Sequence, residues 1–131
     1  MNNRELSPQY KYVLTCGELA TLCGITEDKI KENLEQNESL HIRGGKTGIP
    51  PFVVKKYLNK KGFDYSSHVV AVINMRGGIG KTTVSINTAT RAKQYGFKTC
   101  IIDMDPQGST TLAFDMTPEA YDPIFYDIWQ K

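Results

Sequence analysis

Residues 74–83 read Asn-Met-Arg-Gly-Gly-Ile-Gly-Lys-Thr-Thr and follow the apolar run Val69-Val70-Ala71-Val72-Ile73. An apolar strand that ends in a glycine-rich turn and reopens as a helix at Gly80-Lys81-Thr82 has the layout of a phosphate-binding loop. The glycines let the backbone turn tightly, so that successive N–H groups point at one anion. A helix starting near Lys81 brings its positive dipole end to the same spot. Lys81 is expected to reach the outer phosphates and the Thr82 hydroxyl to hold a magnesium ion. Nucleotide binding is the first expectation.

The flanks of the loop read as an α/β unit. His68–Met75 is dense in Val and Ile, as a strand buried on both faces is. Lys81–Tyr95 is expected as a helix with Val84, Ile86, Ala89 and Ala92 inward, closed by Gly96, and Lys98–Asp103 as a second strand. Strand, helix and strand of these lengths form a right-handed parallel crossover. The phosphate site then falls at the carboxyl end of the first strand, where open α/β sheets bind ligands.

The N-terminal half has a different grammar. Residues 1–12 are polar, and Ser7-Pro8 marks irregular structure. From Thr15 to Leu34 the apolar residues recur at helical spacing, broken at Gly24. One helix, Cys16–Leu22, ends on Gly24, and a second starts from Thr26 and runs through Leu34. Two short helices about a glycine turn form a helix-turn-helix pattern, and the alternative is a helical hairpin that merely packs. The second helix is acidic (Glu27, Asp28, Glu32, Glu35), so Lys29, Lys31, Asn33 and Gln36 would have to face a DNA groove. Next, Leu40–Arg43 alternates like a strand, Gly44–Gly48 reads as a basic turn, and Val53–Lys60 reads as a helix. A hairpin and a basic helix here resemble winged helix-turn-helix modules, in which Arg43 and Lys46 would lie along phosphates. The expected organisation is residues 1–62 as this head, 63–67 as a linker and 68–131 as the α/β part.

Composition sets outer bounds. The chain has 131 residues, is 40% hydrophobic and 23% charged, and has no apolar run able to span a bilayer. The N-terminus lacks the apolar stretch of a secretory signal. Cys16, Cys23 and Cys100 have no paired metal spacing, so reduced, buried thiols in a cytoplasmic protein are expected rather than zinc ligands. Net charge is only +2, but Ser39–Phe63 holds six basic residues and no acidic one. Such a stretch either meets a polyanion or is a solvated face.

The loop and the segment Ile102-Asp103-Met104-Asp105-Pro106-Gln107-Gly108-Ser109 together resemble the ParA family of chromosome and plasmid partition ATPases. That family pairs a deviant loop, Lys-Gly-Gly-x-Gly-Lys-Thr, with Asp-x-Asp-Pro-Gln-Gly, and the likeness covers most of residues 68–115. One branch of the family carries a helix-turn-helix extension that binds operator DNA. The resemblance implies ATP and Mg2+ as cofactors, held by Arg76, Gly77, Gly78, Ile79, Gly80, Lys81, Thr82 and Thr83. It puts Thr82 and Asp103 at the metal, and Lys81, Asp105 and Arg76 in the catalytic set, with Asp105 positioning the attacking water. Loose phosphoryl transfer needs little beyond such placement and charge neutralisation. For Asp103 and Asp105 the plainer reading is two carboxylates capping a strand end. The resemblance further implies a homodimer, DNA and a centromere-binding partition protein as partners, no membrane, and a cytoplasmic, nucleoid-associated place. A MinD-type positioning ATPase fits less well, since no C-terminal amphipathic anchor is seen.

Two departures qualify the match. The family's signature lysine is Arg76 here, which keeps the charge but not the reach. Family members also continue well past position 131 with further strands, a later aspartate and the adenine pocket. The 68–131 part is thus expected to leave sheet faces and an edge uncovered, with Phe125, Tyr126 and Trp129 short of their core. The chain is expected to be a fragment, a truncated product or a protein completed by another chain, and to hydrolyse ATP weakly or not at all. The alternative is a stand-alone DNA-binding regulator with a degenerate ATPase remnant.

Overall fold

The computed structural model describes residues 12–35, 38–105 and 107–116. The readings placed on Ser7-Pro8, Gln36, Pro106 and Phe125–Trp129 lie outside these residues. The chain divides into two compact units: the first runs to His68 and takes in Thr90–Lys98, and the second holds Val69–Ala89 and the chain from Thr99.

The first unit begins with β1 (Leu14–Thr15) and α1 (Cys16–Cys23). Thr15 caps α1 by accepting from the Glu18 N–H at 3.2 Å, while the Glu18 carboxylate accepts from the Thr15 N–H at 3.0 Å, a closed capping box. The helix ends on Gly24 at φ 65°, with the Ile25 N–H reaching the Ala20 carbonyl at 3.0 Å, the six-to-one bond of a Schellman turn. Helix α2 (Glu27–Glu32) starts after Thr26, as expected, but stops two residues earlier than the apolar spacing suggests. There the Asn33 side chain donates to the Lys29 carbonyl at 2.6 Å and closes the last turn.

Strands β2 (Leu40–Ile42) and β3 (Lys46–Ile49) form a hairpin, and α3 (Pro51–Lys60) follows. The expected turn over Gly44–Gly48 is shorter: it spans 43–45, and Lys46, Thr47 and Gly48 are extended. The cause is β1, which the sequence reading did not contain. The antiparallel order is β1-β3-β2, so β3 has partners on both edges, with Leu14 opposite Ile49 and Leu40 opposite Gly48. Central pairing satisfies its backbone groups and favours extension over a loop. Leu14, Leu19, Ile30, Ile49, Val53 and Val54 form a fully buried core against α1, α2 and α3, with Tyr57 and Leu58 beside them.

The first unit also takes up the end of α4 (Lys81–Gln94). Gln94 donates to the Val13 carbonyl at 3.1 Å, and the Tyr65 hydroxyl donates to the Tyr95 carbonyl at 2.6 Å. Phe63, Tyr65 and Phe97 make an aromatic cluster with ring centroids 4.7–6.2 Å apart. Residues 63–67, read from their polar composition as a linker, thus contain two packed rings.

In the second unit the expected parallel crossover is not formed among the described residues. His68–Met75 and Lys98–Asp103 have no ladder partners, Val69 is fully exposed and Ile73 is 84% exposed. The β-branched pattern is real, but a strand meant for burial on both faces needs cover on both. Val84, expected inward, is exposed, Ile86, Ala89 and Ala92 are half-buried, and no residue of α4 is fully buried. Cys100 lies in the same unpaired stretch and is exposed, unlike Cys16. A short helix, α5 (Ser109–Leu112), follows the second motif.

Candidate functional site

The loop is built by local rules. The Asn74 side chain accepts from the Arg76 N–H at 2.9 Å and starts the turn. Gly78 and Gly80 take the left-handed region, at φ 70° and 86°, which a side chain would resist. Immediately after, α4 opens at Lys81, and the Val84 N–H closes its first turn on the Gly80 carbonyl at 2.9 Å. The Lys81 ammonium folds over the loop and donates to the Arg76 carbonyl at 3.2 Å. It is therefore tethered within the turn it would serve.

A phosphate tail fits this turn. A Cβ built at Gly77, Gly78 or Gly80 would meet nothing within 4 Å, so the glycine face is open. The Thr82 hydroxyl, in the first turn of α4, is a hard oxygen of the kind magnesium takes. Ile79 and Thr83 sit exposed on the same segment.

Asp103 and Asp105 form a separate constellation. Asp103 is half-buried, and its Oδ2 accepts from the N–H groups of Thr110 and Thr111 and from the Thr111 hydroxyl, each at 3.1 Å. Its Oδ1 accepts from the Asp105 N–H at 3.2 Å. Asp105 is exposed and accepts from the Gln107 N–H at 3.0 Å. Among the described residues no hydrogen bond joins Asp103 or Asp105 to the loop at 76–83.

The residues expected at DNA divide into used and unused groups. The Lys31 ammonium is 3.9 Å from both Glu27 and Asp28, and Asn33 is spent closing its own helix. Lys29, Arg43 and Lys46 are exposed. Lys31 and Lys46 do come together, on a cleft of about 640 Å3 lined also by Glu18, Glu27 and Arg91. Arg91 had no signal as part of the head, because it belongs to the helix that the loop opens. It binds Glu18 at 2.9 Å. The Thr15 N–H above all holds the Glu18 carboxyl down at about 2; burial opposes it, and Arg91 and the Thr15 hydroxyl add to the lowering. Burial pushes the Cys16 and Cys23 thiols up.

Much of the basic stretch is also committed within the fold. Lys56 binds Glu38 at 2.6 Å and Glu35 at 3.4 Å, Lys55 sits 4.9 Å over the Tyr65 ring, and Lys61 sits 5.8 Å over Tyr57. The cations left open to a polyanion are concentrated at the hairpin and Lys60.

Comparison with known proteins locates the likeness. The AAA_31 family, described as an AAA domain, matches residues 67–131. An uncharacterized Mycobacterium tuberculosis protein is 32% identical over 88 residues, covering 64% of this chain and 26% of its own length. A Rhizobium rhizogenes protein carrying the name replication protein A is 28% identical over 119 residues, covering 78% of this chain and 30% of its own. That share exceeds what residues 67–131 can supply, so the likeness reaches into the N-terminal half. The chromosome-partitioning ATPase Soj of Thermus thermophilus is 38% identical over 50 residues, covering 38% of this chain and 20% of its own. The chain thus spans under a third of the length of these relatives. No solved structure matches it significantly. Among the described residues no helix is long and apolar enough to cross a membrane.

Proposed function

This chain belongs, through residues 67–131, to the ParA-type family of partition ATPases, and on that premise we propose that it is an ATP-binding partition protein with a DNA-binding head. The observation that carries the reading is the turn at Gly78 and Gly80 that opens α4 at Lys81. The N–H groups of 77–81, with Arg76 and Lys81, would take the phosphates, and Ile79 and Thr83 complete the loop. Thr82 would hold magnesium with Asp103 beside it, and the metal would neutralise charge on the phosphoryl oxygens. Asp105, exposed at the second motif, would position the attacking water. The chain by itself would bind nucleotide and turn it over weakly.

The head, residues 1–62, would act as a winged helix-turn-helix, with the 63–67 segment joining it to the ATPase part at 68–131. Lys29, Arg43 and Lys46 would meet DNA, Arg43 and Lys46 along the backbone, and Lys31 and Asn33 would join them on exchanging their present partners for phosphates. In the whole protein ATP would drive homodimerisation and DNA association, and a centromere-binding partner would stimulate hydrolysis, in the cytoplasm at the nucleoid. A second reading, a DNA-binding regulator with a degenerate ATPase remnant, draws support from the exposure of Val69 and Ile73.

Two assays test these readings. Turnover of ATP by the chain beside its Lys81→Ala form should be slight, and robust turnover abolished by the substitution would overturn the expectation of weak activity. Titration of duplex DNA at rising salt should show affinity falling steeply, as phosphate contacts require. Binding that ignores salt, or no binding, would remove the head from the account.

A further inference from the structure

The cleft in the first unit gathers cations that are far apart in sequence: Lys31 from α2, Lys46 from the hairpin and Arg91 from the last turn of α4. Two carboxylates, Glu18 and Glu27, line the same walls, so positive charges outnumber negative by three to two. Both carboxylates already serve α1. Glu18 Oε2 accepts from the Thr15 N–H and the Thr15 hydroxyl, and Oε1 takes Arg91. A Cβ on Gly17 would lie 2.7 Å from Glu27 Oε1, so that carboxylate rests against the first turn of α1, where the helix dipole favours negative charge.

The cations keep donors in hand. A guanidinium offers several N–H groups in a planar fork, and among the described residues the Arg91 side chain donates to Glu18 alone. The Lys31 ammonium stands 3.9 Å from Glu27 and from Asp28, farther than a hydrogen bond reaches. Lys46, exposed at the start of β3, makes no ion pair among the described residues. Cations converging from three elements on one cleft suit a chain of phosphates better than a single small ion. We infer that this cleft seats the DNA backbone, and that Arg91 is a phosphate-contacting residue beside Lys31 and Lys46. A fork already oriented by one carboxylate turns its remaining donors to phosphate oxygens. The DNA-binding surface then includes a residue outside 1–62, on the helix that the phosphate loop opens. Glu18 and Glu27 hold the cations in place and oppose the incoming phosphates. The inference rests on the DNA reading of the head above and says where the duplex backbone lies.

The test uses the whole chain as wild type, Arg91→Ala, Arg91→Lys, Glu18→Gln and Lys93→Ala. Two fluorescein-labelled duplexes of unrelated sequence are titrated by anisotropy at a series of NaCl concentrations. Arg91→Ala should weaken both duplexes by the same factor, about five-fold, and reduce the slope of log affinity against log salt by about one. Arg91→Lys keeps the charge and should keep the slope. Glu18→Gln retains a capping side chain and releases Arg91, so it should tighten binding about three-fold, a direction that unfolding cannot produce. Lys93 is exposed two residues further along α4, on another face, and Lys93→Ala should bind as wild type does. A wild-type slope in Arg91→Ala, an equal loss in Lys93→Ala, or no gain in Glu18→Gln would overturn the inference and leave the DNA reading standing. Failure of the wild type to bind either duplex would remove both.

Discussion

Arg91 Nη1 donates to Glu18 Oε1 at 2.9 Å across 73 residues of sequence, joining the end of α4 to the carboxylate that completes the α1 capping box. Both side chains are nearly half exposed, so the pair is worth little alone, about 0.5–1 kcal/mol. Its interest is that Glu18 serves two masters, the cap and the ion pair. A double-mutant cycle of Glu18→Gln and Arg91→Ala, read by urea unfolding, should give a coupling of that size, and strict additivity would show the pair to be idle.

The same carboxylate makes the first unit acid-sensitive. Glu18 is lowered from its ordinary 4.5 to about 2, so its contribution is fully present above the unfolded value and drains away as pH falls through that window. Thermal melts between pH 5 and pH 2 should show a steeper loss for wild type than for Glu18→Gln. Parallel curves would mean that Glu18 is not the group responsible.

Gly96 closes α4 at φ 90°, and a Cβ there would lie 2.5 Å from Lys55 Cβ and 2.7 Å from the Pro51 carbonyl oxygen. Backbone strain and collision act together, and Gly96→Ala should destabilise by about 2–4 kcal/mol. Chemical denaturation checks this. A cost below about 1 kcal/mol would show that this end of α4 does not pack against α3 as described.

The Tyr57 hydroxyl is buried with no hydrogen-bond partner among the described residues, although its ring is part of the core. Burial pushes its phenol pKa up. Removing the hydroxyl removes an unmet polar group, so Tyr57→Phe should be neutral or stabilising by up to about 1 kcal/mol. A loss of stability would reveal a partner that this geometry lacks.

Legibility in the sequence followed the range of the interactions. The α1 cap, the Gly24 stop, the Gly80–Lys81 opening and the Gly96 stop are local, and each was readable from a few adjacent residues. β1 was not, because two residues, Leu14 and Thr15, become a strand only when β3 lies beside them. The strands expected at 68–75 and 98–103 show the converse: their apolar pattern specifies burial, but burial needs neighbours that the pattern cannot supply. At the candidate site the loop residues are contiguous, so a short stretch of sequence was enough to name them. Arg91 was invisible as a partner of the head, since nothing in the spacing connects it to Glu18.

The central claim is that the backbone amides of Gly77–Lys81 close on a triphosphate, and a crystal structure of the chain grown with magnesium and an unhydrolysable ATP analogue tests it most directly. The account predicts phosphate oxygens within hydrogen-bond distance of those amides, with the Lys81 ammonium moved from the Arg76 carbonyl onto them. Density for the analogue elsewhere, or a loop still closed by Lys81 on Arg76 at saturating analogue, would contradict it.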